Sequence, residues 1–326
     1  MERRGYPEER RRSEGRRRPE EWRWFPERNA DPDRHLRRAP VVEGIFYPDN
    51  REAMINQIAS WGVKEGSSTA SLGGQVIIAP HGAWDISGKI AGAAFATVQA
   101  GSGGDPGNKP AACEIERVIL LGPCHSPGEQ GIYLSESVVF ETPLGDLPVD
   151  WRVNRKLASC SSYIREDDIF HLSEHSLEVL LPLIKYCFPD VKIVPILVHG
   201  SAPVLISGLA KALWVILENC MEKSLIVISS NVSVSCDSAL ASSMAEEFCS
   251  VVSGMDTRGF LARLSDGRIN ACGGAIIAAL FESGLLTGRH FSALTPLSHG
   301  TEEDRQIVYY SAFAAKATTN NRELKR

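Results

Sequence analysis

The segment QVIIAPHG (residues 75–82) decides the fold prediction, and RVILLGPCHSPG (residues 117–128) repeats its pattern. In each segment a short apolar run is followed by a proline and then by a histidine. A short continuous apolar run indicates a buried strand, and glycine and proline after it indicate a turn. Both segments therefore predict a strand that ends in a loop carrying one histidine, His81 or His125.

Further strands alternate with helices along the rest of the chain. Apolar runs at residues 192–199 and 224–229 predict two more strands, and residues 51–61 have apolar side chains at helical spacing, with Asn50 as a suitable N-cap. Strands that alternate with amphipathic helices are typical of a mainly parallel sheet covered on both faces. The predicted fold class is therefore α/β, a three-layer αβα sandwich with a mainly parallel sheet.

Three other segments give more local predictions. Residues 87–100 are rich in small side chains and predict a helix packed close to the preceding strand. HSLEVLLPLIKYCF (residues 175–188) predicts an apolar helix that Pro182 kinks. YYSAFAAKA (residues 309–317) predicts a final strand.

The domain boundaries follow from composition. The formal net charge is −5, from 35 Lys and Arg against 40 Asp and Glu, but residues 1–40 contain 13 Arg and only 9 acids. Residues 1–38 contain almost no aliphatic side chains and are predicted to be a disordered, Arg-rich extension. This extension is either an electrostatic arm for RNA, membrane or an acidic partner, or a solvated segment without function. We expect one α/β domain over residues 39–318 and a polar tail over residues 319–326.

Composition also excludes several classes of function. The body after residue 40 is acidic, which argues against a general nucleic-acid surface because phosphate binding needs clustered positive charge. No apolar stretch approaches the length of a membrane span, and the Arg-rich start lacks the apolar core of a secretory signal. Eight cysteines without a CxxC pair predict buried thiols in a cytoplasmic protein.

His81 and His125 are the first candidates for chemistry. Ligands of open α/β sheets bind beyond the carboxyl ends of the strands, where both histidines are expected. Imidazole is a common ligand of iron, copper and zinc. Cys272 precedes a predicted helix, where a thiol is more readily ionised, and could supply a third ligand. Spacing alone does not connect Cys272 with the two histidines.

Eight segments, in order, resemble the Memo family, whose prokaryotic members are called AmmeMemoRadiSam system protein B. The resemblance covers roughly residues 40–316. The matching segments are VVEGIFYP (41–48), APHGAWDISG (79–88), VILLGPCHSPG (118–128), FETPLGDLPVD (140–150), EHSLEVLLPL (174–183), VKIVPILV (191–198), VISSNVSVS (227–235) and NACGGAII (270–277).

The resemblance implies a fold and a metal site. Memo-like proteins are similar in fold to class III extradiol dioxygenases, which are nonhaem iron enzymes. The family site of two histidines and a cysteine falls here on His81, His125 and Cys272, with iron or copper as the implied cofactor. Two functions remain open: a metal-dependent oxidoreductase, and a non-catalytic module that binds a small molecule or a peptide. Prokaryotic relatives also imply radical SAM and AMMECR1-like proteins as partners.

The sequence departs from the family pattern at positions expected in the cleft. The family segment S-S-D-L-S-H is here Ser-Ser-Asn-Val-Ser-Val, so Asn231 replaces the acid and Val234 replaces the histidine. Trp84 and Ile86 replace hydroxyl-bearing family residues and make the predicted pocket more apolar. Trp84 and Asn231 are the predicted substrate-binding residues.

His175 and Glu178 are the predicted catalytic pair. They are three residues apart in the predicted apolar helix and would share one of its faces. Two interpretations remain. Either His175 transfers protons or contacts substrate while Glu178 orients a group of the site, or the two form a buried polar pair that ties the helix to its neighbours.

Overall fold

The structure is a computed structural model that describes most of the chain after His35. The described residues are 36–66, 69–71, 75–100, 112–218, 221–301 and 305–317. The disorder predicted for the Arg-rich extension, up to His35, and the predicted polar tail lie outside these residues.

An eight-stranded sheet carries the fold, and its four central strands, third to sixth in spatial order, run parallel. In spatial order the strands are β13 (Arg289–Ala293), β16 (Phe313–Ala317), β3 (Gln75–Ala79), β11 (Ser224–Ser229), β5 (Arg117–Pro123), β10 (Lys192–His199), β6 (Gly131–Leu134) and β9 (Ile164–Glu166). The smaller sheets are β1 (Arg37–Arg38) with β7 (Val139–Phe140) and β8 (Leu147–Pro148), then β12 (Ser233–Ser235) with β15 (Ile307–Tyr310) and β14 (Ser298–Thr301), and β2 (Thr69–Ser71) with β4 (Ala112–Glu114).

Helices cover both faces of the large sheet. Within the described ranges the α-helices are α1 (Arg51–Ser60), α2 (Lys89–Ala100), α3 (Trp151–Ala158), α4 (Leu181–Cys187), α5 (Pro203–Leu217), α6 (Ser238–Gly254), α7 (Thr257–Ser265) and α8 (Gly274–Glu282). None of the helices in this part of the chain is long and apolar enough to cross a bilayer.

Alternating strand residues build two hydrophobic cores, because successive side chains of a strand point to opposite faces. Ile77 packs with Phe95 of α2 and the apolar side chains of α4, whereas Ile78 packs on the opposite face with Leu213 of α5 and Phe248 of α6. Helices α2 and α4 thus form one outer layer, and α5, α6, α7 and α8 form the other. This confirms the predicted three-layer α/β sandwich.

The ordered body begins earlier than residue 39. Arg37–Arg38 forms strand β1, which pairs in parallel with Val139–Phe140. The side chain of Arg38 is almost fully buried and forms an ion pair with Glu178. Composition misplaced the boundary because sequence alone does not show that Arg38 is buried and paired.

Two predicted elements differ from the structure. Instead of one kinked helix over residues 175–188, a 3₁₀ turn at Glu178–Leu180 leads into α4, and Pro182 lies in the first turn of that helix. Proline is tolerated there because the first helical N–H groups have no intrahelical partner. The predicted final strand is two strands, β15 and β16, which belong to different sheets.

Candidate metal centre

His81 follows β3 at the carboxyl edge of the sheet. Its backbone N–H donates to Oδ1 of Asn231 at 3.1 Å, and the N–H of Ser230 donates to the carbonyl of Ala79 at 2.9 Å. The loop after β3 is therefore bonded to the loop after the neighbouring β11. His81 is buried in this position.

The hydrogen bonds of Ser229 fix the tautomer of His81. The Ser229 hydroxyl donates to the carbonyl of Ser176 at 2.6 Å and lies 2.7 Å from Nδ1 of His81. Because its one proton is used by Ser176, the hydroxyl accepts from His81, so Nδ1 carries the proton and Nε2 keeps a lone pair. That Nε2 atom is buried and has no hydrogen-bond partner among the described residues.

The charge state of His81 agrees with this assignment. Burial, and then the facing imidazoles of His125 and His175, hold the pKa of His81 well below its ordinary value of 6.5. His81 is thus a neutral imidazole at physiological pH. A neutral imidazole whose lone pair is not used in a hydrogen bond is the form that binds a metal ion.

Glu174 fixes the tautomer of His125 in the same sense. The Nδ1 of His125 lies 2.9 Å from Oε1 of Glu174, and the backbone N–H of His125 donates to the other carboxylate oxygen at 2.6 Å. Since a carboxylate only accepts, Nδ1 carries a proton and Nε2 faces away, toward Cys272. Burial lowers the pKa of His125, but the hydrogen bonds to Cys272 and Glu174 outweigh it and raise that pKa to about 10.

Cys272 reaches the histidines because Gly273 allows a close approach to β11. The Gly273 N–H donates to the Ser230 hydroxyl at 2.9 Å. A Cβ at this glycine would lie 2.7 Å from the Cβ of Ser230 and 2.9 Å from the carbonyl oxygen of Ser229. Any larger residue would therefore push the start of α8, and Cys272 with it, away from the sheet.

The structure brings His81, His125 and Cys272 together. One ligand atom from each residue lies within 4.8 Å of the others. Two imidazoles and a thiolate form a donor set that suits iron or copper. The unpartnered Nε2 of His81 shows that these residues fit a metal ion, since a buried polar atom without a partner is otherwise costly.

His175 lies beside the three ligands. Its ring stacks on His125 at 4.9 Å between centroids, lies 5.8 Å from the ring of His81, and contacts Phe46 edge-on at 5.1 Å. Its Nδ1 is 3.5 Å from Oε1 of Glu174. The structure thus places His175 beside the two histidines of the candidate metal centre. Its catalytic role stays a prediction.

Glu178 is not brought to the metal ligands. Its carboxylate forms the ion pair with Arg38 and accepts from the backbone N–H groups of Val41 and Val42, at 2.8–3.0 Å, and from the Tyr47 hydroxyl at 2.8 Å. These contacts hold the N-terminal segment, and the partner of Glu178 is Arg38 and not His175. His175 and Glu178 share no helix face, because the helical turn begins only at Glu178.

The two predicted substrate-binding residues make structural contacts. The Trp84 ring is buried against Trp61, and its indole N–H donates to the carbonyl of Val179 at 2.9 Å. Asn231 supports the backbone of His81. Their role in substrate binding stays a prediction.

Glu174 and Ser229 were missed by sequence reasoning. Ser229 is the last residue of β11, and its serine hydroxyl has no distinguishing context. The sequence did contain a signal for Glu174, because this acid directly precedes His175 and Ser176 directly follows that histidine. Such an acid can bond both a histidine and a nearby backbone N–H, as Glu174 does with His125 and Ser176.

The family model of Memo-like proteins matches residues 38–313. The chain belongs to this family. A MEMO1 family protein of Thermotoga neapolitana is 28% identical over 82% of this chain and 93% of its own length. Another, from Pyrobaculum aerophilum, is 29% identical over 82% of this chain and 92% of its own. The Memo resemblance inferred from the eight segments is therefore confirmed.

Two further comparisons cover less of this chain or have a lower sequence identity. A MEMO1 family protein of Thermotoga maritima is 31% identical over 55% of this chain, and the match spans 64% of that protein, less than two thirds of its length. Among solved structures, the uncharacterized protein JW3007 from Escherichia coli K12 aligns with 74% of this chain and 98% of that chain, with a TM-score of 0.43 and 11% identity.

Proposed function

We propose that this Memo-like protein binds one iron or copper ion through His81, His125 and Cys272 and is a metal-dependent redox protein. The observation that carries the proposal is the buried, unpartnered Nε2 of His81. It keeps a lone pair beside a second imidazole and a thiol, all within 4.8 Å. A fold similar to that of class III extradiol dioxygenases belongs to the same proposal.

The chain prepares the ligands before any ion arrives. When bound, the ion would supply one-electron chemistry and polarise an oxygen-containing ligand. Ser229 keeps the proton of His81 on Nδ1, and Glu174 does the same for His125. Both imidazoles therefore turn Nε2 toward the site. His81 presents a lone pair there, whereas His125, whose pKa is raised to about 10, would release its Nε2 proton when the ion binds. Outer hydrogen bonds of this kind fix ring orientation and raise ligand basicity.

His175 is the group to which we assign proton transfer. Its ring stacks on His125, and its Nδ1 lies 3.5 Å from the Glu174 carboxylate, so a proton carried by His175 is close to the candidate ligands. The side chain retains 28% exposure, which allows exchange with solvent. Asn231 and Val234, at the positions of the family acid and histidine, cannot titrate, so the acid–base role falls on His175.

The direct test is the metal content of protein purified without added metal and without a polyhistidine tag. We expect near-stoichiometric iron or copper in the wild type and none in His81→Ala, with oxygen-dependent assays to follow. His299→Ala is the matched control, because His299 is exposed on β14, outside the cluster. An absence of bound metal after anaerobic loading with iron and with copper would refute the proposal.

A binding module without turnover is the second candidate function. It is favoured by Asn231 and Val234, which leave the cleft without the family's acid–base pair. The same cleft would then hold a small molecule or a peptide. A thermal-shift screen should yield ligands whose effect His125→Ala removes. A screen without such ligands would count against this function.

The partners and location implied by the family belong to the proposal as well. Radical SAM and AMMECR1-like proteins would act with this chain in one modification system, and genes for both beside its own gene would support that. A cytoplasmic location is compatible with the thiols, since Cys124, Cys160, Cys187, Cys236, Cys249 and Cys272 are free in the part of the chain described.

A further inference from the structure

A cavity of about 480 Å³ lies beyond the carboxyl ends of β5 and β10. Pro123 and Cys124 line it from the side of β5, and Val198 and Ser201 line it from the side of β10. Open α/β sheets bind ligands in the crevice beyond the carboxyl ends of their strands, and the volume is that of a small-molecule site.

Cys272 joins this cavity to the metal centre. It is the one member of the His81, His125 and Cys272 group among the described residues that line the cavity. A molecule in the cavity therefore meets the centre at its sulfur ligand. His175 and Phe46 lie at the same centre on the side of the histidines, where His175 stacks on His125.

The cavity wall carries no charge among the described lining residues. Met244, Leu264 and Ile276 supply apolar surface, while Ser201, the Asn270 amide and the thiols supply polar groups. Nearby, Arg263 of α7 and Arg268 in the loop after it both pair with Glu247, at 2.7 and 3.0 Å. An ionised ligand would find no counter-charge among these lining residues and would lose its hydration.

We propose that this cavity binds a small, uncharged organic molecule that carries a polar group, and holds it against Cys272. The inference deepens the proposed function, because such a molecule would be the substrate or co-ligand of the metal. That role rests on metal binding, whereas binding of the molecule in the cavity does not. The occupancy of the cavity can be measured without metal.

The first test follows alkylation of Cys272 by N-ethylmaleimide in the metal-free full chain, with benzyl alcohol as the uncharged probe and benzoate as its charged counterpart. Peptide mass spectrometry compares Cys272 with the exposed Cys236 in the same molecule. We expect benzyl alcohol at ten times its dissociation constant to slow the alkylation of Cys272 about ten-fold and to leave the alkylation rate of Cys236 unchanged. Absence of protection, or equal protection by benzoate, would overturn the proposal.

The second test fills the cavity. Met244 on α6 lines it, whereas the adjacent Ser243 is exposed and does not. Met244→Trp should slow Cys272 alkylation and remove its dependence on benzyl alcohol, and Ser243→Trp should behave as the wild type. Should Met244→Trp not fold, Ser201→Phe at the exposed mouth replaces it. Protection that survives a folded filling variant would contradict the inference.

These outcomes are separable from those for metal binding. Met244→Trp should retain the metal content of the wild type, because Met244 belongs to neither candidate metal group. His81→Ala should retain the benzyl alcohol protection of Cys272. If the wild type binds no metal but benzyl alcohol still protects Cys272 from alkylation, the proposed function is refuted and the inference about the cavity stands.

Discussion

Glu174 holds His125 at two points. One carboxylate oxygen lies 2.9 Å from Nδ1 of the ring, and the other accepts the backbone N–H of His125 at 2.6 Å. Burial raises the pKa of Glu174, but the hydrogen bonds and charge of His125 outweigh it and lower that pKa to about 2. The carboxylate is therefore ionised, and it fixes both the tautomer and the direction of the ring.

Replacing Glu174 by glutamine tests this positioning role. The amide preserves the shape but removes the charge that keeps the proton on Nδ1 of His125. We expect iron(II) or copper affinity to fall about 10- to 100-fold, the usual effect of losing such an outer hydrogen bond. Competition with a chelator measures it. Glu129→Gln, at an exposed carboxylate, is the control; equal affinities in both variants would show that Glu174 does not act through His125.

Ser229→Ala tests the tautomer of His81. Without the hydroxyl acceptor the proton of His81 is no longer held on Nδ1, and Nε2 is protonated in part of the molecules. We expect metal affinity to fall by about ten-fold or more. Imidazole ¹⁵N shifts of the metal-free protein report the tautomer directly. Observation of an unchanged Nδ1–H tautomer in Ser229→Ala would contradict the assignment.

The buried pair of Arg38 and Glu178 predicts a large effect on stability. Arg38 also donates to the carbonyls of His171 and Glu174, at 2.9 and 2.8 Å, so it ties β1 to the loop that carries Glu174. Arg38→Met leaves the Glu178 carboxylate buried without its counter-charge and should cost about 3–5 kcal/mol of unfolding free energy.

Urea denaturation of Arg38→Met, Glu178→Leu and the double variant measures this coupling. Removing both charges should be less costly than the sum of the single replacements, because neither charge is then left unpaired. Additive losses would show that the two side chains do not depend on each other.

His171 predicts a loss of stability in mild acid. Burial lowers its pKa to about 4, from an ordinary value of 6.5, although its Nε2 bonds the carbonyl of Tyr133 at 3.1 Å. Between these values the unfolded chain binds a proton that the folded chain does not. The free energy of unfolding should therefore fall as pH is lowered from 6.5 toward 4, by up to about 1.4 kcal/mol per pH unit.

His171→Gln should flatten this dependence, since the amide can still donate to Tyr133 but does not titrate. His299→Gln, at an exposed histidine, should leave it as in the wild type. Urea denaturation across the pH range checks both variants. A slope that is the same in His171→Gln as in the wild type would assign the acid sensitivity to other groups.

The fold was predictable where the sequence pattern is local. Apolar runs followed by a proline and then by a histidine located β3 and β5, and the Asn50 cap located the start of α1, where its side chain accepts from Ala53 at 3.0 Å. The prediction for residues 175–188 was wrong because helical periodicity does not reveal that the Ser176 hydroxyl donates to the carbonyl of Pro123 and that Glu174 bonds His125. Those contacts depend on residues far away in sequence.

The ligand residues of the candidate site were predictable, but the residues that hydrogen-bond and orient those ligands were not. His81 and His125 were found from their place after strands, and Cys272 was joined to them only through the family pattern. Ser229 and Glu174 escaped notice because their function arises from distances that only the folded chain defines. The exclusion of Glu178 from the site has the same origin, since its burial beside Arg38 depends on the N-terminal strand.

The central claim is that His81, His125 and Cys272 hold one metal ion together. Its most direct measurement is the absorption spectrum of the metal-free protein during titration with cobalt(II) or copper. We predict a thiolate-to-metal charge-transfer band that saturates at one equivalent in the wild type and in His299→Ala. The band should be absent in Cys272→Ser, and its saturation should be lost in His81→Ala. A band that persists in Cys272→Ser, or wild-type affinity in His81→Ala, would contradict the account.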